Sequence, residues 1–193
     1  MLETLNHIDQ VIFLFVNVKL ANPVTDLIMP IITTDMLLRI LYGVVMILLL
    51  WRGNKRLRWM VLFSALVLFF TDQVSSHYLK HWIGRLRPCH TLTDIHLLVG
   101  CGGGYSMPSS HAANSLGQAA FFACLIARYR WYFYEFAGLI AISRVFVGVH
   151  YPFDVLVGTG IGLLIGWAVA YAFGRFEERY LKKPEEVSVA THD

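Results

Sequence analysis

The stretch Ser143-Arg144-Val145-Phe146-Val147-Gly148-Val149-His150-Tyr151-Pro152-Phe153-Asp154 decides how the rest of the chain is read. It lies between two strongly apolar runs, where an ionisable side chain is costly and tends to be functional. An Arg, a His and an Asp there form an acid–base kit: a fixed cation, a nucleophile or base, and a carboxylate to orient it. Pro152 suits the first turn of a helix, which puts His150 at a loop–helix junction and Asp154 one turn inside. A carboxylate so placed can hold one imidazole nitrogen and leave the other free to attack.

Composition sets the class around that stretch. The chain has 193 residues, of which 56% are hydrophobic and only 15% charged, with a mean hydropathy of +0.56. Soluble domains carry about a quarter charged residues, and several runs here approach the ~20 apolar residues that cross a bilayer. These features predict an all-α, polytopic membrane helical bundle of about five to six transmembrane helices, preceded by an amphipathic N-terminal helix. A single domain is expected, with an interfacial helix and connector over 1–35, a transmembrane core over 36–174 and a cytoplasmic tail over 175–193. The net charge of +3 is modest. Its basic residues are dispersed between apolar spans, which argues against nucleic acid as a partner.

Residues 1–20 lack a basic segment leading to a small-residue cleavage site, so no removable signal peptide is expected. Ile8, Val11, Ile12, Phe15 and Val16 recur at helical spacing while Asp9, Gln10 and Asn17 fall elsewhere. That pattern reads as a helix lying on the membrane interface, with a short additional span as the competing reading. Asn22-Pro23 and Pro30 are expected to break the chain. Spans are predicted at about 36–51, 59–80, 109–128, 133–149 and 152–173. Arg52, Lys55, Arg56 and Arg58 follow the first, Arg128 and Arg130 the third, and Arg175, Arg179, Lys182 and Lys183 the last. Excess Lys and Arg mark cytoplasmic loops, so residues 81–108 and His150 fall on the opposite, periplasmic or exterior, side. Gln73, Ser76, His77 and Lys80 form a polar stripe that should face a protein interior or a wet cavity. Asn114, Ser115 and Gln118 share a face suited to hydrogen bonding between helices. Gly158, Gly160, Gly162 and Gly166 are expected to let helices approach closely. Cys89 and Cys101 flank the outward loop and are open to two readings, a disulfide or two thiols; Cys124 is expected to be buried in a span.

Two further motifs lie on the same side as His150. Lys80 is followed seven residues later by Arg87-Pro88, and Pro108-Ser109-Ser110-His111 opens the third span. A Ser at a helix N-terminus offers its hydroxyl together with free backbone N–H groups, a ready anion site. Three basic residues around such a terminus describe a phosphate cradle, since Arg matches phosphate oxygens bidentately. Two histidines in that cradle suit a nucleophile and a proton donor. Arg85 falls outside the pattern and reads as a lipid-headgroup contact or an exposed side chain.

Taken together, Lys80-x6-Arg87-Pro88, Pro108-Ser109-Ser110-His111 and Ser143-Arg144-x5-His150-x3-Asp154 resemble the three signatures of the type 2 phosphatidic acid phosphatase superfamily. That superfamily includes membrane lipid phosphatases. One position departs, since Ser110 stands where the family carries Gly. The resemblance implies hydrolysis of a membrane lipid phosphate or diphosphate, a polyprenyl diphosphate being favoured. Phosphatidylglycerol phosphate, phosphatidic acid and lipid A 1-phosphate are the alternatives. It implies His150 as the residue that attacks phosphorus, Asp154 as its orienting carboxylate, and His111 as acid and then base. Lys80, Arg87, Ser109, Ser110 and Arg144 would hold the phosphoryl oxygens. Neither a metal nor another cofactor is expected. The partners implied are the lipid phosphate and the bilayer, with no obligate protein partner, in a bacterial inner membrane. A phosphate-lipid carrier without turnover is the reading from another class.

Overall fold

In the computed structural model the described residues, 2–181, are helical with no strand among them. Helix α1 (Leu2–Leu14) continues through a π-helical turn, Phe15–Lys19. Asn22 then caps α2 (Pro23–Ile32), accepting from the Val24 and Thr25 N–H groups while the Thr25 hydroxyl accepts from the Asn22 N–H. The chain therefore breaks at Asn22-Pro23 as expected. Pro30, by contrast, is accommodated inside α2. Helix α3 (Asp35–Arg52) covers the first predicted span. Helix α4 (Lys55–Asp72) runs into a π-helical segment, Gln73–Leu79, and a last turn, Lys80–Ile83. Helices α5 (Ser110–Leu125), α6 (Arg130–Phe146) and α7 (Pro152–Tyr180) complete the bundle.

The outer surface is apolar. Met36, Trp51, Leu66, Leu156 and Leu164 are all exposed, a coat that fits hydrocarbon and would be an aggregation hazard in water. Two stretches are long and apolar enough to cross a membrane, Lys55–Thr91 and Pro152–Tyr180, or three if the bent pair Glu3–Lys19 and Pro23–Ile32 is one span. Helices α5 and α6, at 16 and 17 residues, fall below the ~20 that a bilayer core asks of an untilted helix. The expected five to six spans thus exceed what length and composition establish. Residues 182–193, which include Lys182 and Lys183 and most of the expected cytoplasmic tail, lie outside the described residues.

The N-terminal helix turns its apolar stripe outward, and its polar face meets protein where the interfacial reading would give it water. Asp9, Phe13 and Asn17 are fully buried, whereas Ile8, Val11, Ile12 and Phe15 are exposed. Asn17 donates to the carbonyls of His96 and Phe146, both at 2.8 Å, and accepts from the His96 N–H. In a lipid-coated bundle the apolar stripe is the outer one, and polar groups turn inward to find partners.

Packing is tightest between α5 and α7. A Cβ at Gly158 would strike the carbonyl oxygen of Ser109, one at Gly162 that of Ala113, and one at Gly166 that of Gly117. Gly160, expected to join them, points outward and meets nothing; a period of two puts it off the contact face of a 3.6-residue helix. Between α4 and α5, Gln118 exchanges hydrogen bonds with Ser64 at 2.7 and 2.8 Å, and Thr71 donates to Asn114 at 2.6 Å. These are the interhelical bonds expected of that face. At the opposite end from His150, Arg56 reaches both Glu177 (2.6 Å) and the Leu125 carbonyl. One basic loop therefore shares an end with the close of α5 and of α7. Cys124 lies in α5, but its side chain is exposed on the bundle surface, not buried as expected. Cys89 and Cys101 are joined as a disulfide.

Substituting Gly162→Val should overpack the α5–α7 contact and cost about 1–3 kcal/mol, lowering the apparent Tm in detergent. Gly160→Val should leave it within about a degree. Equal shifts in the two variants would show that the close approach is not a source of stability.

Candidate active site

The turn between α6 and α7 places the first group of site residues. Helix α6 ends at Phe146, and Gly148, at φ 86°, lets the chain reverse beneath the backbone of His96 and Leu97. The His150 N–H returns to the Arg144 carbonyl at 3.2 Å. Pro152 opens α7, and Asp154, in its first turn, accepts from the Tyr151 N–H at 2.8 Å through Oδ2. A carboxylate is favoured there by the positive end of the helix dipole. The same Oδ2 is 3.5 Å from His150 Nδ1, a long approach that nevertheless turns this nitrogen to the carboxylate and leaves Nε2 free. The expected geometry of the loop–helix junction is thus present.

The second group enters through α5. Ser109 caps the helix, and its N–H donates to the Asp154 carbonyl at 2.9 Å, tying the start of α5 to the start of α7. Ser110 shares a 2.8 Å hydroxyl contact with Ser76. The stripe predicted on α4 holds in part: Gln73, Ser76 and Lys80 are half-buried, but His77 is exposed. The π-helical turn adds a residue per turn and carries His77 off that face. Lys80 lies within electrostatic reach of Arg87, Arg144 and Asp154, so all three motifs meet at one end of the bundle.

Most polar atoms buried in such a bundle are paired. Here, among the described residues, Arg87 Nε, Ser109 Oγ and Arg144 Nε are buried without a hydrogen-bond partner. They come from all three motifs. Unpaired donors gathered around a histidine are what an anion with several oxygens would satisfy.

Four residues at this end were not expected. Arg85, read as a headgroup contact or an exposed side chain, is largely buried: its NH1 is 2.7 Å from Asp154 Oδ1, its NH2 is 2.7 Å from Asp9 Oδ2, and its guanidinium lies 4.1 Å above the Tyr151 ring. Two carboxylates and a ring face draw it inward, away from headgroups. The junction of α2 and α3 supplies two more, Thr33 at the end of α2 and Asp35 at the start of α3. Asp35 Oδ1 is 2.9 Å from His111 Nε2, and Thr33 accepts from Arg144 NH1. Charged residues at the edge of an apolar run were the only sequence signal for Asp9 and Asp35, and it did not say where they point.

Beside His111 opens a cavity of about 650 Å³ between α3, α4, α5 and α6. Asp35, Arg39 and Asp72 are among the charged residues of its wall, and Leu38, Met46, Phe122 and Ile140 are among the apolar ones.

An all-helical membrane bundle carrying a histidine–aspartate pair beside unpaired cations has the parts of a phosphoryl-transfer enzyme. The family model of the PAP2 superfamily matches residues 56–178, and the chain belongs to that superfamily and is a phosphatase. It is 34% identical over 180 residues to a lipid A 4'-phosphatase of Bacteroides thetaiotaomicron, covering 86% of this chain and 77% of the relative. It is 27% identical to the undecaprenyl-diphosphatase BcrC of Bacillus subtilis, covering 81% and 77%. Among solved structures it resembles a transmembrane PAP2-type phosphatidylglycerolphosphate phosphatase from Bacillus subtilis, with a TM-score of 0.70 and 25% identity over 92% of this chain and 89% of that one.

Burial pushes the His150 imidazole from 6.5 down to about 3, with Asp154 opposing the shift. The unfolded chain therefore takes up this proton before the folded one, and stability present above about pH 6.5 is lost progressively as the pH falls towards 3. His150→Gln should flatten the fall of apparent Tm between pH 6.5 and 4. Parallel curves for the two proteins would show that His150 does not carry this dependence.

Proposed function

We propose that this protein hydrolyses a membrane lipid phosphate without a metal, through a phosphohistidine formed on His150. The observation that carries the reading is the set of unpaired buried donors from Arg87, Ser109 and Arg144 around a histidine whose Nδ1 faces Asp154. In the first step Nε2 attacks phosphorus, the bond from phosphorus to the leaving oxygen breaks, and His111 gives that oxygen its proton. In the second, His111 takes a proton from water, whose oxygen attacks phosphorus. The phosphorus–nitrogen bond breaks and phosphate leaves. Lys80, Arg87, Arg144, Ser109 and the amide of Ser110 would hold the phosphoryl oxygens as negative charge shifts among them.

The membrane setting follows from the same reading. A polyprenyl or acyl chain would lie in the apolar cavity beside His111 while the phosphate sits at the polar end. Five to six crossing helices in a single domain, with the basic loops in the cytoplasm, would turn the site to the periplasmic or outer face of a bacterial inner membrane. Lipid A 4'-phosphate is the first substrate to test, because the relative so named aligns with 86% of this chain. A polyprenyl diphosphate is the second, supported by the undecaprenyl-diphosphatase relative, which aligns with 81%.

Purified protein in detergent with excess EDTA should release phosphate from at least one lipid among lipid A, undecaprenyl diphosphate, phosphatidylglycerol phosphate and phosphatidic acid. His150→Ala should lower kcat at least about a thousandfold, as removing a nucleophile does elsewhere. Turnover abolished by EDTA would refute the metal-free mechanism. Binding without release from any of the lipids would move the reading to a carrier.

A further inference from the structure

Four basic residues stand at the active end of the bundle, and their surroundings divide them. Arg87 and Arg144 each keep a buried Nε without a partner, and Lys80 stands within electrostatic reach of both. Arg85 is different. Both its terminal nitrogens are engaged at 2.7 Å, one by Asp154 and one by Asp9, and its plane covers the Tyr151 ring. Its charge is consumed inside the protein, which leaves little for a phosphate.

Asp9 belongs to none of the three motifs. It lies on α1, is fully buried, and uses its other oxygen to accept from the Phe153 N–H at 2.9 Å. That N–H belongs to the first turn of α7, between His150 and Asp154. The contacts thus form a line: Asp9 to Arg85, Arg85 to Asp154 Oδ1, and Asp154 Oδ2 to His150. Each link has a physical consequence. Burying a carboxylate is costly unless a cation is paired with it, and Arg85 is the cation paired with Asp154. One guanidinium shared by two carboxylates leaves the group with a net negative charge, which favours the positive imidazole that forms as His150 attacks. Removing the Asp9 charge would leave Arg85 fully compensating Asp154, and the imidazole would lose that support.

We propose that Asp9 and Arg85 are positioning residues of the reaction, holding Asp154 aimed at His150, so that the N-terminal helix is part of the catalytic apparatus. This rests on the reading of His150 as the nucleophile.

The test compares full-length Asp9→Asn, Arg85→Lys, Arg85→Gln and Asp9→Asn/Arg85→Gln proteins with the wild type. The assay is steady-state phosphate release from the lipid that turns over best. Asp9→Asn should lower kcat about 10–100-fold, as loss of an outer-shell partner does, with KM within about threefold. Arg85→Lys keeps the cation but cannot bridge two carboxylates in a fixed fork, so it should show the same split. Asp9→Asn should add no further loss in the Arg85→Gln background, because Asp9 acts through Arg85. A kcat within twofold of wild type in Asp9→Asn, additive losses in the double variant, or a rise in KM with kcat retained would each overturn the proposal. Where Arg85→Gln does not fold, the kcat and KM of Arg85→Lys and Asp9→Asn decide alone. His150→Ala is assayed alongside. Turnover surviving there removes the nucleophile assignment itself, whereas its loss together with full activity in Asp9→Asn removes only this proposal.

Discussion

The close contact of α5 with α7 is the constraint on which the rest of the structure depends. Gly158, Gly162 and Gly166 lie against backbone carbonyls of Ser109, Ala113 and Gly117. At that separation no side chain intervenes, so the two helices have little freedom to slide or turn. Their N-terminal ends carry the candidate site: Ser109, Ser110 and His111 on one, Asp154 on the other, with His150 just before it. The bond from the Ser109 N–H to the Asp154 carbonyl closes the same contact at its active end. Lipid supplies no hydrophobic drive between helices, so close backbone approach is an appropriate way to hold them. The precision of a histidine pair presented from two helices is inherited from a row of missing side chains.

Charge is organised around that contact by pairing some groups and leaving others unpaired. Away from the site, buried polar groups find partners: Gln118 with Ser64, Asn114 with Thr71, Asn17 with three carbonyls. At the site, Arg87 and Arg144 retain unpaired nitrogens. An unpaired buried donor costs free energy in the resting protein, a cost that an anion bound there on the proposed reading would recover. Arg85 marks the boundary between the two regimes. It sits two residues from Arg87 and shares its type, yet its contacts make it part of the scaffold.

This boundary was the part of the molecule that sequence did not reveal. The motif residues were legible because their order and spacing are specific, and the span ends were legible because Pro152, Ser109 and the basic loops punctuate apolar runs. The faces of helices were harder. Hydrophobic periodicity in α1 correctly showed a helix but gave no way to tell which face meets protein, since lipid is as apolar as a core. The interfacial reading left Asp9 and Asn17 to face water, whereas both are buried against protein. Arg85 failed differently. An Arg near a span end snorkels to the headgroups unless a carboxylate is buried within reach, and the carboxylate in question, Asp9, lies seventy-six positions earlier in the chain. His77 slipped off its stripe because a π-helical turn changed the period locally, which spacing counted at 3.6 cannot register.

The cavity beside His111 bears on how such a site would choose its lipid. Gln118, which lines it, is already paired at both ends of its amide with Ser64, and Asn114 accepts from Thr71. Ser64 also holds the Tyr42 hydroxyl at 2.8 Å. The Gln118 amide thus has little hydrogen-bonding capacity left to offer a ligand, and the apolar residues of that wall would hold a chain by dispersion and burial. Such contacts discriminate weakly, since a methylene more or less changes affinity by only about 1–3 kcal/mol. Discrimination on the proposed reading would then fall to the mouth of the site, where Asp35 faces His111 and Thr33 accepts from Arg144. An anionic headgroup larger than phosphate would have to pass an acidic side chain there, while a sugar or glycerol hydroxyl could donate to it. The junction of α2 and α3, outside every motif, is on this argument where relatives with the same catalytic groups would differ in what they accept.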